Sequence, residues 1–194
     1  MPQIEPNSLL SLEAYARERG AYRARVIAHK KLRTLHVGGH VTLIFEDEVT
    51  IRYQVQEMLR IERIFEEEGI RGELAAYNPL IPDGGNLKAT MMIEYEDAAE
   101  RRRRLAELGG IQDRVWIEVE GCGRVLGIAD EDLEREEDGK TAAVHFLRFE
   151  LAPAMRAALK AGAALSAGVD HPNYRAGVTV SPEMRRALAA DLAG

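Results

Sequence analysis

Four strand candidates, at 87–95, 114–120, 124–129 and 141–151, crowd the middle of the chain, and a single helical segment at 97–108 separates the first two. Parallel neighbours need a crossover of a dozen or more residues, usually a helix, and regular strand–helix alternation is absent here. Strands clustered in this way pair antiparallel and bury one face under helices. The expected fold is therefore α+β: one domain over residues 1–194, mostly antiparallel sheet packed with several helices. Residues 1–7 are expected to form a flexible arm.

Helices flank this cluster. Segments 8–19 and 21–33 read as two helices punctuated by Gly20. A hairpin follows, with strands at 34–37 and 40–45 around Gly38-Gly39. The strongest helical pattern covers 49–68, and a shorter helix at 71–77 stops before Pro79. After the strands come a helix at 153–160, a last strand at 163–169, and a closing helix that Ser181 caps and Pro182 begins.

Composition narrows the function classes. Lys and Arg total 26 against 32 Asp and Glu, a net charge of −6. That balance argues against general nucleic-acid binding, which needs a basic surface. The start of the chain has no signal-peptide pattern, and no segment approaches the roughly 18 apolar residues of a membrane span. A cytoplasmic location without membrane insertion is expected. One cysteine, Cys122, leaves no intrachain disulfide and no cysteine-based metal knuckle. Arg101 to Arg104 fan around a helix among carboxylates, and the acidic run at 130–138 lacks the ligand alternation of a calcium loop, so both read as solvated.

A few polar residues sit where a plain core would not place them. On a continuous helix from 49 to 68, Glu62 falls about 20° from Ile51, inside the stripe of Val55, Met58, Leu59 and Phe65, with Glu66 near its edge. A carboxylate there requires an ion pair (Arg25, Arg52 or Arg148), a metal, a proton, or an exposed helix end. His145 shares a strand face with Ala143, Leu147 and Phe149. His29 lies on a helix face with Tyr22, Val26 and Arg33. Asp170-His171-Pro172 follows the last strand, as a structural turn or as a display of polar groups. Glu62, His145 and His171 are thus candidate ligands for a divalent metal, with Asp170 orienting His171. The loop at 78–86 has two prolines and two glycines, and with Asp83, Asn86 and Lys88 it is a candidate small-molecule or anion site. No serine-hydrolase elbow, zinc-protease helix or phosphate-binding loop motif is present.

The runs His40-Val-Thr-Leu-Ile-Phe-Glu-Asp47, Gln56-Glu-Met-Leu-Arg-Ile-Glu-Arg63, Tyr77-Asn-Pro-Leu-Ile-Pro-Asp-Gly84 and Lys140-Thr-Ala-Ala-Val-His-Phe-Leu-Arg-Phe-Glu150, with Asp170-His-Pro172, resemble one bacterial family. It is the domain-of-unknown-function family numbered thirty-five hundred and one, and the resemblance spans about Leu9 to Leu192. It implies no catalytic residues. Its members are often encoded beside a rubrerythrin-like protein and an iron–sulfur oxidoreductase-like protein. What the resemblance implies is an accessory or binding role in a redox or oxidative-stress system, with such a protein as partner. A metal-dependent enzyme and a small-molecule binding module around the 78–88 loop are the alternatives, and a homo-oligomer is compatible with exposed strand edges.

Overall fold

The computed structural model describes residues 3–129 and 141–193, so the acidic run at 130–138 lies outside the described residues. Its first helix, α1 (Leu12–Lys31), starts on Ser11, whose Oγ accepts from the amide of Ala14 at 3.3 Å. That bond satisfies one of the amides a first turn leaves without a partner. The helix runs straight through Gly20, where a break was expected. A mid-helix glycine costs only about 1 kcal/mol. Fully buried Tyr15 before it and Tyr22 stacked on Tyr53 after it outweigh that cost.

The expected hairpin forms from β1 (Thr34–Val37) and β2 (Val41–Phe45), and α2 (Glu48–Ile61) follows. Asp47 and Thr50 close a reciprocal capping box at the head of α2. The helix ends far earlier than its apolar pattern suggests. Glu62 is the C-cap, Arg63 takes a positive φ of 55°, and the amide of Ile64 donates to the carbonyl of Leu59 at 2.9 Å. This is a Schellman stop with arginine where glycine is usual, which explains why the sequence did not announce it. The chain restarts as α3 (Glu67–Tyr77) and a 3-10 turn at Asn78–Leu80.

The remaining elements are β3 (Asn86–Ile93), α4 (Ala98–Glu107), β4 (Val115–Val119), β5 (Gly123–Leu126), β6 (Ile128–Ala129), β7 (Val144–Glu150), α5 (Pro153–Ala161), β8 (Leu165–His171), β9 (Tyr174–Thr179) and α6 (Pro182–Ala189). Among the described residues all the pairings are antiparallel, in two sheets ordered β1-β2-β3-β7-β6 and β5-β4-β8-β9. The α+β expectation therefore holds. The segment expected as one strand at 124–129 divides at Gly127 and passes from one sheet to the other. At the far side Tyr174 joins the sheets, its hydroxyl donating to the carbonyl of Val37 at 2.5 Å. Between the sheets lies the main core, with Leu43, Phe45, Met91, Phe149, Ile117 and Val169 among its members.

A second, separate core belongs to the helical layer: Ile4, Ile51, Val55, Leu59, Leu74 and Ile81. Residues 3–7 are thus not the flexible arm expected of them. Ile4 is only 1% exposed, and the Asn78 side chain clamps its backbone, accepting from the amide at 2.9 Å and donating to the carbonyl at 3.1 Å.

One ionic cluster ties α1 to α2. Glu57 accepts from Arg19 at 2.8 and 2.9 Å, from the Tyr15 hydroxyl at 2.7 Å and from Arg60 at 3.3 Å. These bonds, led by Arg19 and opposed by burial, hold the Glu57 carboxyl at a pKa of about 2. A lowered carboxyl pKa contributes stability that is complete above the unfolded value near 4.5 and is lost as pH falls through 2. After solvent screening around the half-exposed arginines, about 1–2 kcal/mol is expected in that window. Denaturant titrations of wild type and Glu57→Gln at pH 6 and pH 3 check it: the gap between the two proteins should shrink at the lower pH, and a constant gap would refute the assignment.

Candidate functional site

The two cores do not merge. Between them, on the outer face of the five-stranded sheet, is a cavity of about 890 Å³. Ligand pockets commonly occupy about 300–1,000 Å³ and form between packed units. Period two decides what the floor offers. Leu87, Ala89 and Met91 of β3 and Leu147 and Phe149 of β7 face the main core, so Lys88, Thr90, Phe146 and Arg148 face the cavity side.

Across that floor runs one polar row. Just past β2, the Glu46 amide donates to the Lys88 carbonyl at 2.8 Å, Lys88 pairs with Arg148, and Arg148 pairs with Ile128. Behind it lies a less polar row of Ile44, Thr90 and Phe146. Leu74 and Arg71 of α3 and Leu80 and Ile81 of the following turn complete the walls.

The charges are held differently. Glu46 is only 5% exposed, and it accepts from Thr90 Oγ1 at 2.6 Å and Thr50 Oγ1 at 2.5 Å. Lys88 Nζ donates to the carbonyls of Pro79 and Ile81, at 2.5 and 3.0 Å. Arg148 pairs with Glu150 and Arg71 with Glu67, in exposed contacts. Exposed pairs of this kind contribute only about 0–1 kcal/mol. An acid entering the cleft can therefore replace those glutamates at small cost.

Among the residues expected in a site, the 78–88 loop borders the cleft, but its polar groups serve the loop itself. Asp83 accepts from the Gly85 amide at 2.7 Å, which uses the backbone donor an anion would have required. Asn86, 1% exposed, accepts from the Asp83 amide at 3.3 Å and donates to Glu150 at 3.2 Å. Lys88 lines the cavity, whereas Asp83 and Asn86 stand outside its lining.

The four metal candidates are not brought together. Glu62 is exposed, because α2 ends before the apolar stripe reaches it, and Phe65 is 73% exposed for the same reason. His145 points into the main core, away from the helical layer, with Nε2 2.9 Å from both Thr141 Oγ1 and the Ala142 carbonyl. His171 is buried at the end of β8, where Nε2 meets the Gly109 carbonyl at 3.1 Å and Nδ1 accepts from the Asn173 amide at 3.2 Å. Asp170 does not orient it. Successive strand residues face opposite ways, and Asp170, 62% exposed, pairs with Arg175 at 3.4 Å. Among the described residues, no group of three or more His, Cys, Asp or Glu is placed to hold a metal ion.

Sequence reasoning missed Glu46 and the buried cluster beside it. Period two in β2 does signal Glu46, since it follows Thr42 and Ile44 onto the outer face. The next residue, Asp47, meets His29 Nε2 at 2.5 Å and Arg33 Nη1 at 3.3 Å, and Arg33 also pairs with Asp191.

A model of the family described as "Protein of unknown function (DUF3501)" matches residues 3–192. The chain belongs to that family. A DUF3501-like fold is also seen in a solved structure, described as a crystal structure of a novel protein of unknown function from Burkholderia pseudomallei. It is 56% identical, aligns over 99% of this chain and 100% of that one, and superposes with a TM-score of 0.94. No curated protein matches the sequence. Among the described residues of this DUF3501 member, no helix is long and apolar enough to cross a membrane.

Proposed function

We propose that this protein binds a small organic acid, an acidic group on an apolar body, in the cleft between the helical layer and the five-stranded sheet. One observation carries the reading: Lys88, Arg148 and Arg71 converge on a cavity of about 890 Å³ whose remaining surface includes Leu80, Ile128 and Phe146. The cations supply the polar recognition and the apolar surface the burial, the usual division of labour in a small-molecule site. The reading keeps the 78–88 loop as part of the site and moves the recognising groups onto the sheet. The redox-partner expectation rests on the family resemblance and on no feature of the cleft.

Octanoate is a sufficient probe. Saturable binding to the wild-type chain is expected by calorimetry, and Arg148→Ala should weaken it about ten-fold, the loss of one charge-assisted hydrogen bond. Melting curves establish that the variant is folded. No saturable binding, or equal affinity in a folded Arg148→Ala protein, would remove the acid-binding reading.

A further inference from the structure

We infer that the molecule taken by the cleft carries a protonated amine as well as an acid, with the amine seated on Glu46. This rests on the acid-binding reading above and adds the second recognition group.

Glu46 is a carboxylate more than nine-tenths buried, yet it lines the cavity floor. Thr50 and Thr90 each donate one hydrogen bond, to Oε2 and Oε1 respectively. A carboxylate offers about four acceptor sites, so two hydroxyls orient the group without saturating it. Both threonines are themselves fixed. Thr50 is fully buried in the capping box of α2, and Thr90 is paired within the sheet. Glu46 is therefore a preset acceptor, not a side chain free to swing away.

A plain anion lying along the polar row meets like charge at this end, which disfavours it. An ammonium group at the same place removes the repulsion and gains a charge-assisted hydrogen bond. Arg148 lies two strands from the Glu46 position, through Lys88, and neighbouring strands are about 4.8 Å apart, so roughly 10 Å separates the two backbone positions. The amine and the acid of a ligand spanning the row are then several bonds apart. That spacing selects an ω-amino acid or a short peptide over an α-amino acid.

Calorimetry of the full chain with ω-aminooctanoate, octanoate and octylamine tests this. ω-Aminooctanoate should bind about ten-fold more tightly than octanoate, as one added charge-assisted hydrogen bond implies. Glu46→Gln should erase that preference by weakening ω-aminooctanoate about ten-fold, while octanoate, relieved of the like charge, should bind no more weakly than to wild type. Equal binding of octanoate and ω-aminooctanoate to wild type overturns the amine site and leaves the acid site standing. Absence of binding by any of the three overturns both. Equal losses for both acids in a folded Glu46→Gln protein would make Glu46 structural and also overturn the inference. If Glu46→Gln does not fold, the wild-type comparison decides alone.

Discussion

Replacing Arg33 with methionine should cost about 3–5 kcal/mol of stability, and the melting temperature should fall by on the order of 10 °C. Arg33 is 2% exposed. Its Nε donates to the Phe45 carbonyl at 2.9 Å and Nη2 to the Glu46 carbonyl at 3.3 Å, which fixes the point where β2 turns into α2. The same guanidinium bridges Asp47, the N-cap of α2, and Asp191 beyond α6. Methionine fills comparable volume but leaves both carbonyls without this donor, and two carboxylates without the cation between them. Removing one partner from a buried charge set is the costly case, because the remaining charge stays desolvated.

The carboxylate on the other side of that pair should behave differently. Burial, the largest influence, pushes the Asp191 pKa up from its ordinary value, and nearby Asp47 adds to it, while Arg33 and His29 pull it down. The net direction is upward, so the folded protein holds this proton more tightly than the unfolded chain does. The stability gained is complete below the unfolded value near 3.8 and is lost as pH rises through the folded value. At neutral pH, Asp191→Asn should therefore cost less than about 1 kcal/mol, far less than Arg33→Met. Denaturant midpoints of the two variants side by side give the answer. A loss in Asp191→Asn equal to that in Arg33→Met would show attraction outweighing burial at this site.

Much of this architecture was legible because local signals and tertiary packing agree. Period two placed His145 with Leu147 and Phe149, and that face does enter the main core. Ser181 and Pro182 mark the start of the closing helix correctly, because capping is chemistry within a few residues. The errors have local causes too. Arg63 adopts the left-handed conformation that glycine signals, so 49–68 looked continuous and Glu62 looked buried. Strand β9 went unnoticed because Ala176 and Gly177 dilute its pattern; its place comes from pairing with β8. The cleft was illegible for a further reason. Its floor joins Glu46, Lys88 and Arg148, residues separated by long stretches of chain, and only strand order makes them neighbours. Sequence showed that Lys88 follows a shaped loop; it could not show which face of which sheet the loop would cover.

Pairing with β8 also makes Gly168 the least replaceable small residue on the outer face of the second sheet. Gly168 lies opposite Trp116 on one side and Gly177 on the other. The indole ring covers that glycine pair, and the Arg124 guanidinium stacks on it 3.8 Å from the ring centroid while pairing with Glu118 at 2.5 Å. A β-carbon on Gly168 would stand 2.2 Å from the indole and 2.6 Å from the Ala176 carbonyl oxygen. The ring could swing away, but the carbonyl belongs to the paired strand. Gly168→Ala should therefore cost about 3 kcal/mol through forced separation of β8 and β9, at the upper end of overpacking effects. At Gly177 the nearest indole atom would be 3.5 Å from the new carbon, an ordinary contact, and alanine loses less backbone entropy on folding than glycine. Gly177→Ala should be neutral to slightly stabilising. The chain has one tryptophan, so its fluorescence reports on this site alone. Red-shifted emission and a lower denaturation midpoint are expected for Gly168→Ala, with neither change for Gly177→Ala. Equal losses in both variants would mean that the ring demands two bare glycines, and that the indole, not the Ala176 carbonyl, sets the limit.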